Sequence, residues 1–189
     1  MRLVLASSSP RRRDLLARIG VTPDRIAHPD IDETPRPGEL PRAYALRLAG
    51  EKARAIDRAA DEIVLAGDTT IALGRRILAK ATDEAEQRRM LALLSGRRHH
   101  CLSAICVIDI AGRARTRLSD TIVAFKRLSE AEIDRYVASG EGLHKAGGYA
   151  IQGRAESLVR FMSGSHSGVI GLPLFETRAL LDASGYPVG

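Results

Sequence analysis

Apolar and polar positions alternate with two different periods along the chain, and the period marks the elements. Residues 2–6 form a short apolar run of strand length, and residues 10–19 carry apolar side chains at helical spacing. Residues 24–28 read as a second short strand. The stretch "HPDIDETPRPGELP", residues 28–41, has no period and is rich in proline and acid, so it is a loop. Helical spacing returns over 39–59. The run "EIVLAGDTTIAL", residues 62–73, is apolar but broken by Gly67 and Asp68; "GRRI" then turns it into a further strand ending at Leu78. A helix is expected over 83–94. A hairpin of two strands, 98–110 and 114–126, follows, turned at "AGR". Next comes a helix over 129–138 with a capping box from Ser129 to Glu132. A glycine-rich segment (140–153), a strand near 157–162 and a helix over 173–184 complete the pattern. The alternation predicts an α/β fold with a mixed sheet flanked by helices. With no repeat, low-complexity tract or linker, residues 1–189 read as a single domain, with room for two lobes sharing a core.

Polar residues that break this pattern are the candidates for chemistry. Ser9 suits an N-cap and Pro10 the first position of a helix. Acidic residues should follow, because the N-terminal end of a helix is partially positive. Arg11, Arg12 and Arg13 stand there instead. A strand, a serine turn and a helix N-terminus make an anion pocket from free N–H groups and hydroxyls. Arg11 and Arg12, whose forks match phosphate oxygens, fit such a pocket; Arg13 reads as surface. The pocket is not a Walker loop, since GxxxxGK[ST] is absent.

Lys52 is the only charged residue on an apolar helical arc that includes Tyr44, Ala45, Leu48 and Ala49. Near the centre of that arc it requires a partner or a cleft. Asp68 closes "IVLAGD", and an Asp at a strand end after glycine suits a metal ligand or a water-activating carboxylate. A turn Asp is the other reading, weakened by the strand-like "TTIAL" that follows. Glu33, beside Asp32 in the loop, offers a second carboxylate. Lys80 ends "RRILAK" and alone is ambiguous.

Charge and composition narrow the partners. A net charge of +6 suits nucleic acid or a small polyanion, and with 4% aromatics and no Trp a base-stacking surface for single strands is disfavoured. Cys101 and Cys106, five apart on a strand, face opposite ways and form no zinc or CxxC pattern, so they read as core residues in a reducing compartment. No apolar stretch reaches membrane-spanning length, and the first strand is too short for a signal-peptide core. The expectation is a cytoplasmic protein. The five histidines form no metal pattern, which leaves a Mg²⁺ or Mn²⁺ site of carboxylates and substrate phosphates as the better fit.

Taken in order, these segments resemble the Maf family of nucleoside triphosphate pyrophosphatases. "LASSSPRR" is similar to its SxSxxR signature, with Ser7, Ser9 and Arg12 at the fixed positions. "DET" with Glu33, "EKA" with Lys52, "GDT" with Asp68, "AK" with Lys80, "KAGGYAIQG" with Lys145 and Gln152, and "GLP" at 171–173 follow in the family's order. Two places depart from the usual pattern: "AKA" stands where "GKP" is frequent, and "HKAG" where "DKAG" is usual. The resemblance implies an elongated mixed sheet, two lobes around a cleft and a fold related to the inosine triphosphate pyrophosphatases. It implies hydrolysis of a nucleotide to monophosphate and pyrophosphate with a divalent cation, clearance of non-canonical nucleotides, and a homodimer. Asp68 is implied as proton acceptor, with Glu33 and Asp68 as metal ligands. Ser7, Ser9, Arg12, Glu33, Lys52 and Lys80 would line the phosphate and metal site. Arg11, Thr69 and Gln152 would read the base, a set that resembles the branch acting on dTTP and UTP. The alternatives are a pyrophosphatase for 7-methyl-GTP or modified nucleotides, and a non-catalytic basic protein that binds nucleic acid or division proteins.

Overall fold

A computed structural model describes residues 1–188. Seven strands form one sheet: β1 (Arg2–Ala6), β2 (Arg25–Ala27), β3 (Glu62–Leu73), β4 (Arg76–Leu78), β5 (Arg98–Ile108), β6 (Ala114–Phe125) and β7 (Val159–Ser163). The order is β2-β1-β3-β5-β6-β7, with β4 paired to β3. β2, β1 and the first half of β3 run parallel, and everything from β3 to β7 is antiparallel. The expected mixed α/β architecture is therefore present.

Among the described residues six α-helices pack on this sheet: α1 (Pro10–Ala17), α2 (Pro41–Arg54), α3 (Glu84–Leu94), α4 (Glu130–Ala138), α5 (His166–Ile170) and α6 (Leu174–Ala183). Strand alternation separates two cores. Leu3, Leu5, Ile63, Leu65, Cys101 and Ile105 face one way, under side chains of α1, α3, α4 and α6. Val4, Ala6, Val64, Ala66, Ala104 and Cys106 face the other way, under α2. The two cysteines lie on opposite faces, as their spacing predicts. Ala45, Ala49 and Ala53, all fully buried, form the stripe by which α2 meets the sheet. Small side chains let the helix approach closely, so a longer residue on the same face has to find a cleft.

Several boundaries differ from the sequence expectation for identifiable reasons. α2 ends at Arg54 rather than 59, because Glu62 at the start of β3 accepts the N–H of Ala59 at 3.0 Å and draws the chain into the strand. Asp68 does not close a strand; β3 runs through it without a break. Ser9 holds the N-cap position of α1 but makes no capping bond, and its own N–H goes to Ser7 Oγ at 3.1 Å. The capping box of α4 is complete. A 3-10 turn over Arg154–Leu158 precedes β7, and α5 was not expected at all.

Candidate active site

The sheet contains a gap that becomes the site. β1 pairs with β3 only up to Ala66, and β4 pairs with it only from Ile71. Residues 67–70 of β3 thus have no strand beside them on that edge, while β5 covers the other edge throughout. The serine turn after β1 and the 144–152 segment border the gap, leaving a cleft of about 450 Å³. Ser7, Ser9, Arg11, Arg12, Glu33, Lys52, Asp68, Thr69, Lys80 and Gln152 all line it. The residues proposed from the sequence for phosphate, metal and base are thus brought to this one place, together with Lys145.

At its centre Lys52 lies between two carboxylates. Its Nζ is 2.8 Å from Asp68 Oδ1 and 3.0 Å from Glu33 Oε1. Lys52 and Asp68 are each 6% exposed. The charged member of the α2 arc therefore has its partner, delivered by the close approach of the alanine stripe. Thr70 Oγ1 donates to Asp68 Oδ2 at 2.8 Å, so both oxygens of Asp68 are oriented. Lys80 Nζ reaches Glu33 Oε2 at 3.3 Å from the exposed side. Burial pushes the Glu33 carboxyl up, but the ammonium groups of Lys52 and Lys80 outweigh it and hold it below its ordinary value. The loop that carries Glu33 is tied down by Tyr44, whose hydroxyl donates to the Glu33 carbonyl at 2.8 Å. Burial, and then the charges of Asp68 and Glu33, push the Tyr44 phenol up to about 12, so it remains a donor. Asp32 does not line the cleft and accepts the Thr34 N–H in a local turn.

Thr69 points to the opposite face from Asp68, toward α5. There Arg12 is anchored: Nε donates to the Gly171 carbonyl at 2.8 Å and Nη1 to Ser7 Oγ at 2.9 Å, with Thr69 Oγ1 3.5 Å from Nη2. A Cβ at Gly67 would be in ordinary van der Waals contact with this guanidinium, 3.5 Å from Nε. Burial lowers the Arg12 pKa, Asp68 opposes that shift, and Arg11 adds to it. Ser103 completes the network between Thr69 Oγ1, at 3.2 Å, and the Gly168 carbonyl, to which it donates at 2.9 Å. No acidic residue stands in the first turn of α1, so the helix end faces the cleft with its positive pole and two arginines.

The 144–152 segment is held by buried polar side chains that the sequence reading passed over. Gln87 donates to the Gly148 carbonyl at 3.2 Å, Tyr136 accepts the Ala150 N–H at 2.9 Å, and His99 Nε2 lies 2.9 Å from the Tyr149 hydroxyl. Burial, with a smaller push from His100, lowers His99 to about 4. The two departures from the family pattern have local consequences here. Ala81 donates its N–H to the Lys145 carbonyl at 3.2 Å, a bond that a proline in that position could not make. His144 sits at φ 59°, a left-handed conformation in which His is tolerated better than most residues. Gly142 is obligatory for space: a Cβ would lie 2.0 Å from the Gly148 carbonyl oxygen. Gly142→Ala is expected to destabilise by about 2 kcal/mol or more, read in thermal unfolding as a Tm drop of roughly 4–8 °C. An unchanged Tm would show that the segment tolerates a shift.

Residues 2–184 match the family model described as "Maf-like protein". The chain is 71% identical over 187 residues to a Sphingopyxis alaskensis protein named dTTP/UTP pyrophosphatase, covering 99% of this chain and 98% of that one. It is 59% identical to a protein of the same name from Novosphingobium aromaticivorans, over 98% of this chain and 93% of that one. The fold matches the structure of a HAM1 protein from Coxiella burnetii with a TM-score of 0.52 at 16% identity, over 96% of this chain and 98% of that one. That likeness speaks for the architecture alone and agrees with the expected fold class. A family model spanning nearly every residue, together with relatives this similar along their whole length, places the chain in the Maf family.

Proposed function

We propose that this protein hydrolyses dTTP and UTP to the monophosphate and pyrophosphate. The observation that carries the reading is the buried Lys52–Asp68 pair opening onto a cleft lined by the serine turn, four more cations and Glu33. The names of the two relatives point to the same reaction. The phosphates lie against Ser7, Ser9 and the positive end of α1, with Arg12, Lys52 and Lys80 balancing their charge. Asp68 takes a proton from a water molecule, whose oxygen attacks the α-phosphorus; the α–β bridging P–O bond breaks and pyrophosphate leaves. Lys52 and Thr70 hold the Asp68 carboxylate in orientation for that transfer. Arg11, Thr69 and Gln152 meet the base.

The donor set also suits a divalent cation. Among the described residues no three of His, Cys, Asp and Glu gather as a closed metal site. Two carboxylates, Glu33 and Asp68, face the cleft together, and Mg²⁺ or Mn²⁺ commonly takes one or two carboxylates plus substrate phosphate oxygens. Glu33 and Asp68 would hold the ion, which supplies charge neutralisation at the phosphates when bound. Residues 1–189 act in this reading as one cytoplasmic domain, two lobes sharing β3 and β5, in a homodimer; among the described residues no helix is long and apolar enough to cross a membrane. The test is a panel of canonical and modified nucleoside triphosphates with Mg²⁺ or Mn²⁺, scored for pyrophosphate. Release from dTTP and UTP above the others is expected. Preference for 7-methyl-GTP, or salt-dependent DNA binding without any turnover, would replace this reading.

A further inference from the structure

The cations of the cleft fall into two groups. Lys52 and Lys80 have carboxylates, and Arg12 has a carbonyl and two hydroxyls. Among the described residues, Arg11 and Lys145 have neither. Both are half-buried and line the same cleft. The Arg11 guanidinium is lowered by burial alone, without an opposing carboxylate. Burial pushes the Lys145 ammonium down, the charge of Arg11 pushes the same way, and Glu141 only partly opposes them. The main chain that carries Lys145 is nonetheless fixed in place. Its carbonyl accepts from Ala81, its N–H donates to Gly142, and Lys80 bridges to the adjacent Ala146. Two cationic donors that line one cleft, without acceptors among the described residues, call for a ligand that brings acceptors.

We propose that Lys145, facing the cleft with Arg11, is a specificity residue that selects keto pyrimidines over cytosine. This rests on the dTTP/UTP reading above. Thymine and uracil present keto oxygens at positions 2 and 4 with an N–H between them, whereas cytosine presents an amino donor at position 4. Ammonium and guanidinium groups donate and never accept. Next to them a keto oxygen is satisfied, while an amino group faces another donor and leaves both unpaired. Gln152, seven residues beyond Lys145 on the same segment, offers both a carbonyl and an amide and can meet the ring N–H. Discrimination thus comes from what the two cations cannot do as much as from what they do.

The test compares the full-length wild type with Lys145→Gln. It measures kcat/KM for UTP and CTP, inhibition by inorganic pyrophosphate, and calorimetric binding of UMP and CMP. Glutamine can accept as well as donate, so the UTP-to-CTP ratio is expected to fall at least about tenfold. The UMP-to-CMP affinity ratio should fall with it, and pyrophosphate inhibition should stay unchanged. Equal losses on both nucleotides with weakened pyrophosphate inhibition would make Lys145 a phosphate contact and overturn the inference. An unchanged ratio would overturn it too. If the wild type hydrolyses neither nucleotide but binds UMP above CMP in a Lys145-dependent way, the hydrolase reading fails and this one stands.

Discussion

Asp68→Asn lowers kcat for dTTP and UTP by about 10²-fold or more while the protein stays folded. Asparagine has the size of aspartate and can still accept from Thr70, whose bond to Oδ2 is 2.8 Å long. It cannot take a proton from water at neutral pH. At saturating divalent cation the loss should appear in kcat and in kcat/KM alike, as for a group that acts on the transition state. Steady-state kinetics on the purified variant, with circular dichroism to confirm folding, decide the matter. Turnover within a few-fold of wild type would remove Asp68 from the role of proton acceptor and direct attention to Glu33.

Lys52→Met carries the second large effect, and it appears in stability as well as in rate. Methionine replaces the four-carbon stem of lysine, lacks only the terminal ammonium, and keeps the packing beside the alanine stripe. It leaves Asp68, buried, and Glu33, partly exposed, facing each other without the ammonium between them. Removing one partner from a buried pair costs about 3 kcal/mol, which for a chain of this size lowers Tm by roughly 6–12 °C. The pH dependence has a definite sign. Burial pushes the Glu33 carboxyl up, and Lys52 is the first of the cations that outweigh it. Without that cation Glu33 keeps its proton to higher pH, so the acidic limb of the pH–rate profile moves up. Unaltered stability together with an unmoved acidic limb would mean that the Lys52 ammonium is not what holds the two carboxylates.

The two periods in the sequence were enough to locate nearly all of the elements. Their limits failed where a distant side chain intervened, as when Glu62 captures the Ala59 N–H and shortens α2. The site was legible as a set of misplaced polar residues: arginines at a positive helix end, a lysine on an apolar arc, an aspartate in an apolar run. Their convergence was not legible, because it depends on where β1 stops pairing with β3 and where β4 begins. Roles played by main-chain atoms left no trace of residue type. Gly171 serves Arg12 through its carbonyl, and nothing in "GLP" says so beyond the family pattern. α5 did have a signal, Ser165 at its N-cap, Gly171 at its C-cap and Pro173 two residues on. Its five residues carry too little apolar period to register as a helix. Gln87, His99 and Tyr136 look like ordinary members of their elements until the buried segment they hold is seen.

The interrupted edge of β3 has an evolutionary consequence. Along residues 67–70 the peptide groups have no neighbouring strand on the cleft side. A ligand entering the cleft meets this strand at Asp68 and Thr69. Point mutations can exchange Thr69 or Gln152 and so retune which molecule is preferred. They cannot exchange the peptide edge, which persists as long as β1 and β4 end where they do. Within such a lineage, preference is free to drift while the shape of the seat is inherited through strand length.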